Sequence, residues 1–221
     1  MTRDTCPAAP ARPLRRDAEL NRQRIIVAAR EVFSARGLEA TLDDIAHHAK
    51  LGVGTVYRRF PSKEHLVDAL FGDRLDELVE LCEKALTEPD AWTGFVQFTE
   101  KIAEVHSADR GLREVMLGTS FGHDKVQHAR DRLIPVATQL IERAQATGQL
   151  RADFAPTDMA ALHVMIGSIS DYGHCADPEL WRRYVRIMLD GLRAQPGPPS
   201  ELERPALTEP ELICVMSQWR C

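Results

Sequence analysis

The sequence has few of the features that mark membrane, secreted or metal-binding proteins. Its longest run without a charged residue is the twelve residues from Met159 to Ser170, and this run includes His163 and two serines. A membrane-spanning helix needs about 18 or more apolar residues, so we expect neither a membrane span nor a membrane partner. Five cysteines form an odd set without C-x-x-C spacing, which argues against a disulfide framework and a zinc knuckle. With no apolar leader after Met1, these absences predict a cytoplasmic protein.

Motifs for catalysis and nucleotide binding are also missing. The chain has no G-x-S-x-G, no H-E-x-x-H, no Walker loop and no dinucleotide fingerprint. Asp43 and Asp44 are adjacent carboxylates, but the dipole at the start of a helix explains them better than catalysis does. His123 and His128 are five residues apart, a poor spacing for two ligands of one metal on a helix. We therefore predict no enzymatic activity, no catalytic residues, no cofactor and no metal site.

The residues that are present indicate a globular protein with a basic N-terminal part. The 221 residues are 44% hydrophobic and 28% charged, which supplies enough apolar material for a packed core. Residues 1–60 contain 11 Lys and Arg against 7 Asp and Glu, a balance of +4. Residues 61–221 contain 17 against 26, a balance of −9. This division indicates that the first part of the chain contacts a polyanion.

Proline and apolar periodicity divide the chain. Eight of the 13 prolines lie near its two ends, and we interpret residues 1–16 as a disordered basic arm and residues 195–221 as a Pro-rich tail. Whether residues 212–219 form a short helix that packs on the rest of the chain is left open. Apolar residues recur at helical spacing between these ends and no alternating β pattern is found, so the fold class is all-α. Helices are predicted at 21–36, 41–49, 53–60, 62–85, 91–106, 111–117, 125–147, 157–172 and 179–193, with a kink or break at Pro135.

The stretch 41–60 has the layout of a helix-turn-helix, in which the second helix enters the DNA major groove. Thr41 and Asp44 form a variant of the capping box that opens the first of the two helices. At 100° per residue along the second helix, Val56, Phe60 and Val53 define the core side, and Arg58 lies opposite. A face of glycine, threonine, tyrosine and arginine suits DNA better than packing, because these residues can contact phosphates and base edges.

The candidate DNA contacts extend beyond this face. Thr41 and Lys63 lie at helix N-termini, where backbone amides favour a phosphate. Val53 is also a candidate, although the helical spacing places it on the core side. Arginines at 12, 15, 16, 22 and 24 form a basic arm that can follow the DNA backbone. The candidate DNA-contacting residues are Arg22, Thr41, Val53, Gly54, Thr55, Tyr57, Arg58, Arg59 and Lys63.

Residues 21–78 contain an ordered series of short motifs: Ile25-Ile-Val-Ala-Ala-Arg-Glu-Val-Phe33, Gly37, Thr41, Ile45-Ala46, Ala49, Gly54-Thr55-Val56-Tyr57, Phe60 and Ser62-Lys63-Glu64. Through these residues the segment resembles the N-terminal domain of TetR/AcrR-type regulators. The resemblance implies a three-helix DNA-binding domain at 17–63, with its helix-turn-helix at 41–60, and a larger helical domain at 64–194. In the family, this second domain binds a small effector and forms the dimer.

Two positions in the helix-turn-helix depart from the family pattern. Lys50 stands where members usually have glycine, and Gly52 stands where they often have serine. If the backbone at position 50 has a positive φ, lysine costs about 1 kcal/mol there, which a packed turn tolerates. Gly52 can begin the second helix, but it offers no side-chain acceptor for the cap.

The resemblance also implies sites in the second domain. We expect an apolar effector to contact some of the aromatic, methionine and histidine residues of this domain. Such residues at helical spacing more often belong to a core than to a pocket. The candidates are Trp92, Phe95, Phe98, His106, Met116, Phe121, His128, Met165 and Tyr172. The last two long helices are more apolar than one covered face needs, which favours a homodimer; a single thick core is the alternative. The predicted dimer contacts are Met159, Leu162, Ile166, Ile169, Trp181, Tyr184, Met188 and Leu192.

The sequence thus predicts a dimeric regulator, most simply a repressor, that binds a palindromic operator in double-stranded DNA. An effector would release it by stabilising a conformer in which the helix 66–85 acts as a lever on the DNA-binding domains. Two alternatives remain: an activator of the same family, and a helical adaptor that uses the same surface for protein partners. Salt separates the adaptor from the regulator, because phosphate contacts weaken steeply as salt rises.

Overall fold

The computed structural model describes residues 12–118, 123–197 and 200–218. Within them the chain forms ten α-helices and no strand, so the predicted all-α fold is confirmed. Their bounds are α1 Arg12–Arg36, α2 Leu42–His48, α3 Val53–Arg59, α4 Lys63–Leu86, α5 Ala91–Ala108, α6 Arg110–Leu117, α7 Asp124–Ala146, α8 Pro156–Gly173, α9 Leu180–Leu192 and α10 Glu209–Gln218. None of these described helices combines the length and apolarity needed to cross a bilayer.

Two segments differ from the sequence expectation, and a third has the short helix that the sequence left open. Helix α1 begins at Arg12, so the last five residues of the arm 1–16 are helical, because Pro13 is tolerated in a first turn where its missing N–H needs no partner. Residues 1–11 lie outside the described part. Helix α7 runs through Pro135 without the break that we considered, since packing against α4 offsets the lost hydrogen bond. Helix α10 forms within the tail, where Thr208 is bonded to Glu211 through both its backbone N–H (2.8 Å) and its hydroxyl (2.7 Å).

Two apolar clusters hold the helices together. The first joins α1–α3 to the inner faces of α4, α6 and α7, so the N-terminal helices share a core with the helices that follow. The second lies between α5, α7, α8 and α9. Helix α6 contacts both α1 and α5, and its buried residues Leu112 and Val115 belong to the first cluster. This helix therefore lies between the N-terminal part of the chain and the interior of the rest.

Candidate nucleic-acid interface and internal cavity

The start of α2 has the capping box that the sequence predicts. The Thr41 hydroxyl oxygen accepts a hydrogen bond from the backbone N–H of Asp44 (3.1 Å), and the Asp44 carboxylate accepts from the backbone N–H of Thr41 (2.8 Å). Arg36 donates to the same carboxylate at 3.0 Å. The hydrogen bonds from Thr41, together with Arg36, lower the pKa of Asp44. Thr41 thus fixes where α2 begins, and it remains exposed at the surface.

The turn between α2 and α3 is closed by backbone bonds and braced from α1. The N–H of Leu51 donates to the carbonyl of Ala46 at 2.9 Å, and the Arg24 guanidinium donates to the carbonyl of Ala49 at 3.0 Å. Lys50 has φ +54°, the left-handed conformation that favours glycine. The conditional expectation of a positive φ at this position is therefore met. The Arg24 side chain therefore stabilises this turn and does not belong to an open basic arm.

Replacing Lys50 by glycine should stabilise the protein. Because glycine lacks the Cβ that is crowded at positive φ, we expect Lys50→Gly to raise the free energy of unfolding by about 1 kcal/mol. Lys50→Ala is the matched control, because it removes the same exposed side chain but keeps a Cβ at φ +54°. Urea denaturation of the two variants at one salt concentration measures the difference. A glycine variant no more stable than the alanine variant would contradict the strain at this turn.

Helix α3 exposes the face that the helical spacing of 100° per residue places opposite the core. Val56 and Phe60 are buried, whereas Tyr57 and Arg58 are exposed. A Cβ built on Gly54 would meet nothing within 4 Å, so the backbone is open to close approach there. Val53 is 44% exposed, which corrects its assignment to the core side. The reason is that α3 has only seven residues and buries one of them, so its first turn projects beyond its neighbours.

Four of the candidate side chains are held by contacts within the chain. The Arg58 guanidinium donates to the half-buried Thr55 hydroxyl at 3.3 Å. Glu19 of α1 forms ion pairs with Arg59 at 3.3 Å and with Arg22 at 4.0 Å. The Arg22 guanidinium also lies 6.0 Å from the centre of the Phe60 ring. These contacts place the arginines of α1 and α3 beside one another, at the end of α3.

The Lys63 side chain is bonded to another segment of the chain. Its ammonium donates a hydrogen bond to the carbonyl of Leu38, and burial lowers the pKa of the Lys63 side chain. The neighbouring N–H of Leu38 donates to the Glu114 carboxylate of α6. The ammonium is therefore held within the chain, whereas the phosphate contact that the sequence predicts uses the backbone amides at the start of α4 and stays a prediction. The tertiary structure turns this side chain inward to satisfy a carbonyl between α1 and α2.

A cavity of about 150 Å³ lies between α5, α6, α7 and α8. It includes three of the residues predicted for an effector, Phe98, His106 and Met116. Phe95 and Trp92 instead belong to the second apolar cluster. Helical spacing alone could not separate the two groups, because both face the interior.

The other predicted effector residues do not line this cavity. His128, Met165 and Tyr172 are exposed on the surface of α7 and α8, and Phe121 lies outside the described residues. His163 was missed: it is buried, and its ring lies edge to face with that of His106 at 4.6 Å between centres. Its place within the apolar stretch 159–170 was the available signal.

The two buried histidines make stability depend on pH. Burial lowers the pKa of His163 to about 4, and burial, His163 and Arg113 lower the pKa of His106. Below pH 6.5 the unfolded chain gains protons at these residues and the folded chain does not. We therefore expect the free energy of unfolding to fall as pH drops from 6.5 towards 4, by up to about 1.4 kcal/mol per pH unit for His163. Stability at neutral pH and above is unaffected by this group.

Urea denaturation at several pH values between 7 and 5 measures this dependence. His163→Phe should have a shallower fall than the unsubstituted protein, because one of the two protonation sites is gone. His128→Phe, at an exposed position of α7, is the control and should leave the slope unchanged. Equal slopes in all three proteins would mean that His163 is protonated without cost in the folded chain.

The predicted dimer residues are divided between the interior and the surface. Met159, Ile166, Trp181 and Leu192 are buried in the second apolar cluster of their own chain, so their assignment as contacts with a partner is corrected. Leu162, Ile169 and Met188 are partly buried against the same cluster. Tyr184 is exposed. Part of the apolar surface of α8 and α9 is thus covered within a single thick core of the same chain, as in the alternative to a homodimer.

Exposed apolar side chains form a separate stripe on each of these helices. On α8 the stripe consists of Ala161, Met165 and Tyr172, at spacings of four and seven residues. On α9 it consists of Tyr184 and Ile187, three residues apart, and the exposed Gly191 continues the same face without a side chain. Met165 is 58% exposed and Ile187 is 54% exposed. These positions, rather than the buried ones, are open to a partner.

Helix α3 follows a tight turn, packs on a helical core and exposes a glycine, a tyrosine and arginines. This arrangement defines a helix-turn-helix DNA-binding protein. Residues 25–70 match the family described as bacterial regulatory proteins, tetR family. Residues 88–194 match the family described as transcriptional regulator SbtR-like, C-terminal domain. The chain therefore belongs to the TetR family of transcriptional regulators, which are DNA-binding proteins and not enzymes.

Individual relatives are similar over most of their length. The HTH-type transcriptional regulator SrpR of Pseudomonas putida is 31% identical over 147 residues, which are 63% of this chain and 68% of that protein. A TetR transcription regulatory protein from Mycobacterium vanbaalenii is 32% identical, with 82% of this chain and 99% of that one covered and a TM-score of 0.45. A tetR-family structure from Shewanella sp. PV-4 is 18% identical, covers 79% of this chain and 99% of that one, and has a TM-score of 0.54; it shows a shared fold.

Proposed function

We propose that residues 17–63 bind double-stranded DNA through the exposed face of α3. The observation that carries this proposal is the position of Arg58 and Tyr57 on the solvent side of a helix whose other side is held by buried Val56 and Phe60. Arg58 would contact a guanine edge or a phosphate, and Tyr57 would donate its hydroxyl to a phosphate. Arg59 and Arg22, which share Glu19, would lie against the flanking backbone.

The protein would read a palindromic operator as a homodimer. Residues 64–194 would provide both the dimer surface and the effector site. The exposed stripes of α8 and α9, with Met165 and Ile187 at their centres, are apolar surface that a second copy can bury. A two-fold dimer would place its two α3 helices in successive turns of the major groove, about 34–36 Å apart. The operator would therefore contain two inverted half-sites.

The cavity beneath α6 would hold a small effector, and α6 would couple it to the DNA-binding domain. Met116 of α6 lines the cavity, and Glu114, two residues earlier, accepts the hydrogen bond from Leu38. Gly37 packs so closely on Glu114 that a Cβ there would overlap a carboxylate oxygen. A shift of α6 would therefore move the segment that precedes α2. Lys63 bonds the same Leu38 from α4, which joins the expected lever helix to this contact.

Release from DNA requires the effector to prefer the non-binding conformer by a few kcal/mol, because equal affinity for both conformers shifts nothing. In this proposal the protein is a repressor that leaves its operator when the effector binds. The position of the operator relative to a promoter decides between this role and activation.

Selection of genomic DNA fragments by the purified protein at moderate salt tests the proposal. We expect enrichment of one or a few palindromes, with binding that weakens steeply as salt rises. Arg58→Ala is the parallel control and should lose the enrichment. If a co-purified effector holds the released conformer, unfolding and refolding the protein before selection removes it. Failure of the refolded protein to enrich any fragment would overturn DNA recognition by this face and would favour the adaptor.

A further inference from the structure

The internal cavity has a buried end and an open end. His106 and His163 lie at the buried end, where their rings contact each other. Ile134 and Pro156, which are exposed, lie at the other. The remaining wall is formed mainly by aliphatic and aromatic side chains. An apolar cavity of about 150 Å³ is large enough for a single benzene ring, so one ring can enter.

The buried end contains polar atoms that the folded chain does not satisfy. Nε2 of His163 and Nδ1 of His106 have no hydrogen-bond partner among the described residues. The other ring nitrogen of His106, Nε2, lies 3.2 Å from the sulfur of Met116, and the hydroxyl of Thr138 donates to the carbonyl of Ile134 at 2.9 Å. A buried polar atom without a partner destabilises the folded chain, because it has lost its hydrogen bonds to water. A ligand that supplies a partner to His163 would offset part of this destabilisation.

The cavity wall is uncharged among the described residues that line it. Burial keeps both imidazoles neutral at physiological pH, because their pKa values are lowered. Arg113 lies behind the histidines and does not line the cavity; its Nη2 bonds the Asp171 carboxylate and its Nη1 bonds the carbonyl of His106 at 2.7 Å, while its Nε has no partner among the described residues. Because no cation is among the described residues of the cavity wall, an anionic ligand would lose its hydration there without gaining a contact of opposite charge. The site favours a neutral molecule.

A second space adjoins the first and is bounded by the C-terminal tail. This cleft of about 660 Å³ shares six lining residues with the cavity, including Met116, Ile134 and Ala160. One of its walls is helix α10, which contributes Leu212, Ile213 and Met216. Helix α10 lies beyond residue 194, where the match to the C-terminal family domain ends. This wall is therefore additional to the part of the chain that the family description covers.

We propose that the effector is a neutral, mostly apolar molecule whose ring bears a hydroxyl group that hydrogen-bonds Nε2 of His163, and whose apolar tail lies in the cleft against α10. The proposal rests on the proposed function, since it specifies the ligand of the same effector site. It assigns His163 as the residue that selects for the polar group and Met216 as the residue that holds the tail.

Three matched probes test the chemical class by calorimetry on the full chain without DNA. The probes are 4-butylphenol, butylbenzene and 4-butylbenzoate. We expect 4-butylphenol to bind about tenfold more tightly than butylbenzene, the effect of one net hydrogen bond, and 4-butylbenzoate to bind more weakly than both. No binding of 4-butylphenol at about 1 mM, or tighter binding of the benzoate, would overturn the proposal.

Substitutions at His163 locate the polar contact. In His163→Phe, 4-butylphenol should lose about tenfold in affinity, whereas butylbenzene should bind as before, which also shows that the cavity is intact. His128→Phe is the control at an exposed position and should change neither affinity. An equal loss for both probes in His163→Phe, or no loss for 4-butylphenol, would contradict the assigned contact.

Substitutions in α10 locate the tail. Met216 is buried and Val215 is exposed, so Met216→Lys should weaken 4-butylphenol binding several-fold and Val215→Lys should not. Equal affinities in the two variants would show that α10 is not part of the site.

A further experiment adds 4-butylphenol to the complex of the protein with a selected operator. Binding that depends on His163 but leaves the DNA complex intact would keep this site and overturn effector-driven release, so the two proposals fail separately.

Discussion

Arg58→Ala is expected to lower operator affinity by about tenfold to a hundredfold, because an arginine that contacts a base edge contributes about 1–3 kcal/mol. The side chain is exposed, and the hydrogen bond described for it within the chain is the 3.3 Å contact with Thr55. Its removal should therefore leave the free energy of unfolding nearly unchanged. Tyr57→Phe removes one hydroxyl and should cause a smaller loss that is similar for all operator sequences. Gel-shift titration on a selected operator measures both.

The control for Arg58 is Lys101→Ala. This substitution also removes one positive charge, but from the exposed surface of α5, where Lys101 pairs with Glu104 at 2.9 Å. It should leave operator affinity and its salt dependence unchanged, whereas loss of a phosphate contact should reduce the salt slope by about one. If Arg58→Ala and Tyr57→Phe both bind like the unsubstituted protein, the assignment of this face to DNA is wrong.

Ile187→Lys is expected to dissociate the dimer and lower operator affinity by about a hundredfold or more. A monomer binds one half-site, so it loses the gain in avidity that comes from linking two DNA-binding domains. Ile187 is 54% exposed in the stripe of α9, so a lysine can reach solvent in the isolated chain, and the buried core beneath it is unaffected. In the dimer the added charge would be buried beside the arginines of α9, at a cost that the interface does not offset.

Sedimentation velocity measures the oligomeric state, and circular dichroism shows whether the monomer is folded. Leu202→Lys is the control, because Leu202 is a similarly exposed apolar residue of the tail, outside α8 and α9. It should remain dimeric and bind the operator normally. A folded, dimeric Ile187→Lys protein with normal operator affinity would move the dimer surface away from this stripe.

Local sequence patterns were sufficient for the helix-turn-helix. The capping residues Thr41 and Asp44 and the buried pair Val56 and Phe60 act within one or two turns of helix, so spacing alone predicts their roles. The positive φ at Lys50 was also foreseeable, since the family usually has glycine there. Val53 shows the limit of the same reasoning. A wheel gives a direction for each side chain, but it does not tell how far the neighbouring helices extend.

Contacts between distant segments were not accessible in this way. Lys63 bonds a carbonyl 25 residues earlier, and Glu114 bonds the N–H of the same Leu38 from 76 residues later. The dimer prediction failed at Met159 and Trp181 for a related reason. Apolar periodicity shows that a helix has a covered face, but it does not distinguish cover by the same chain from cover by a second copy.

The sequence by itself therefore determined the all-α class, the helix-turn-helix and its exposed face, because these depend on interactions between residues close along the chain. Only the tertiary structure decided that Lys63 faces inward, that His163 shares a buried cavity with His106, and that α10 of the tail lies beside that cavity. Each of these depends on which helices pack together, and packing joins residues whose separation along the chain carries no periodic signal.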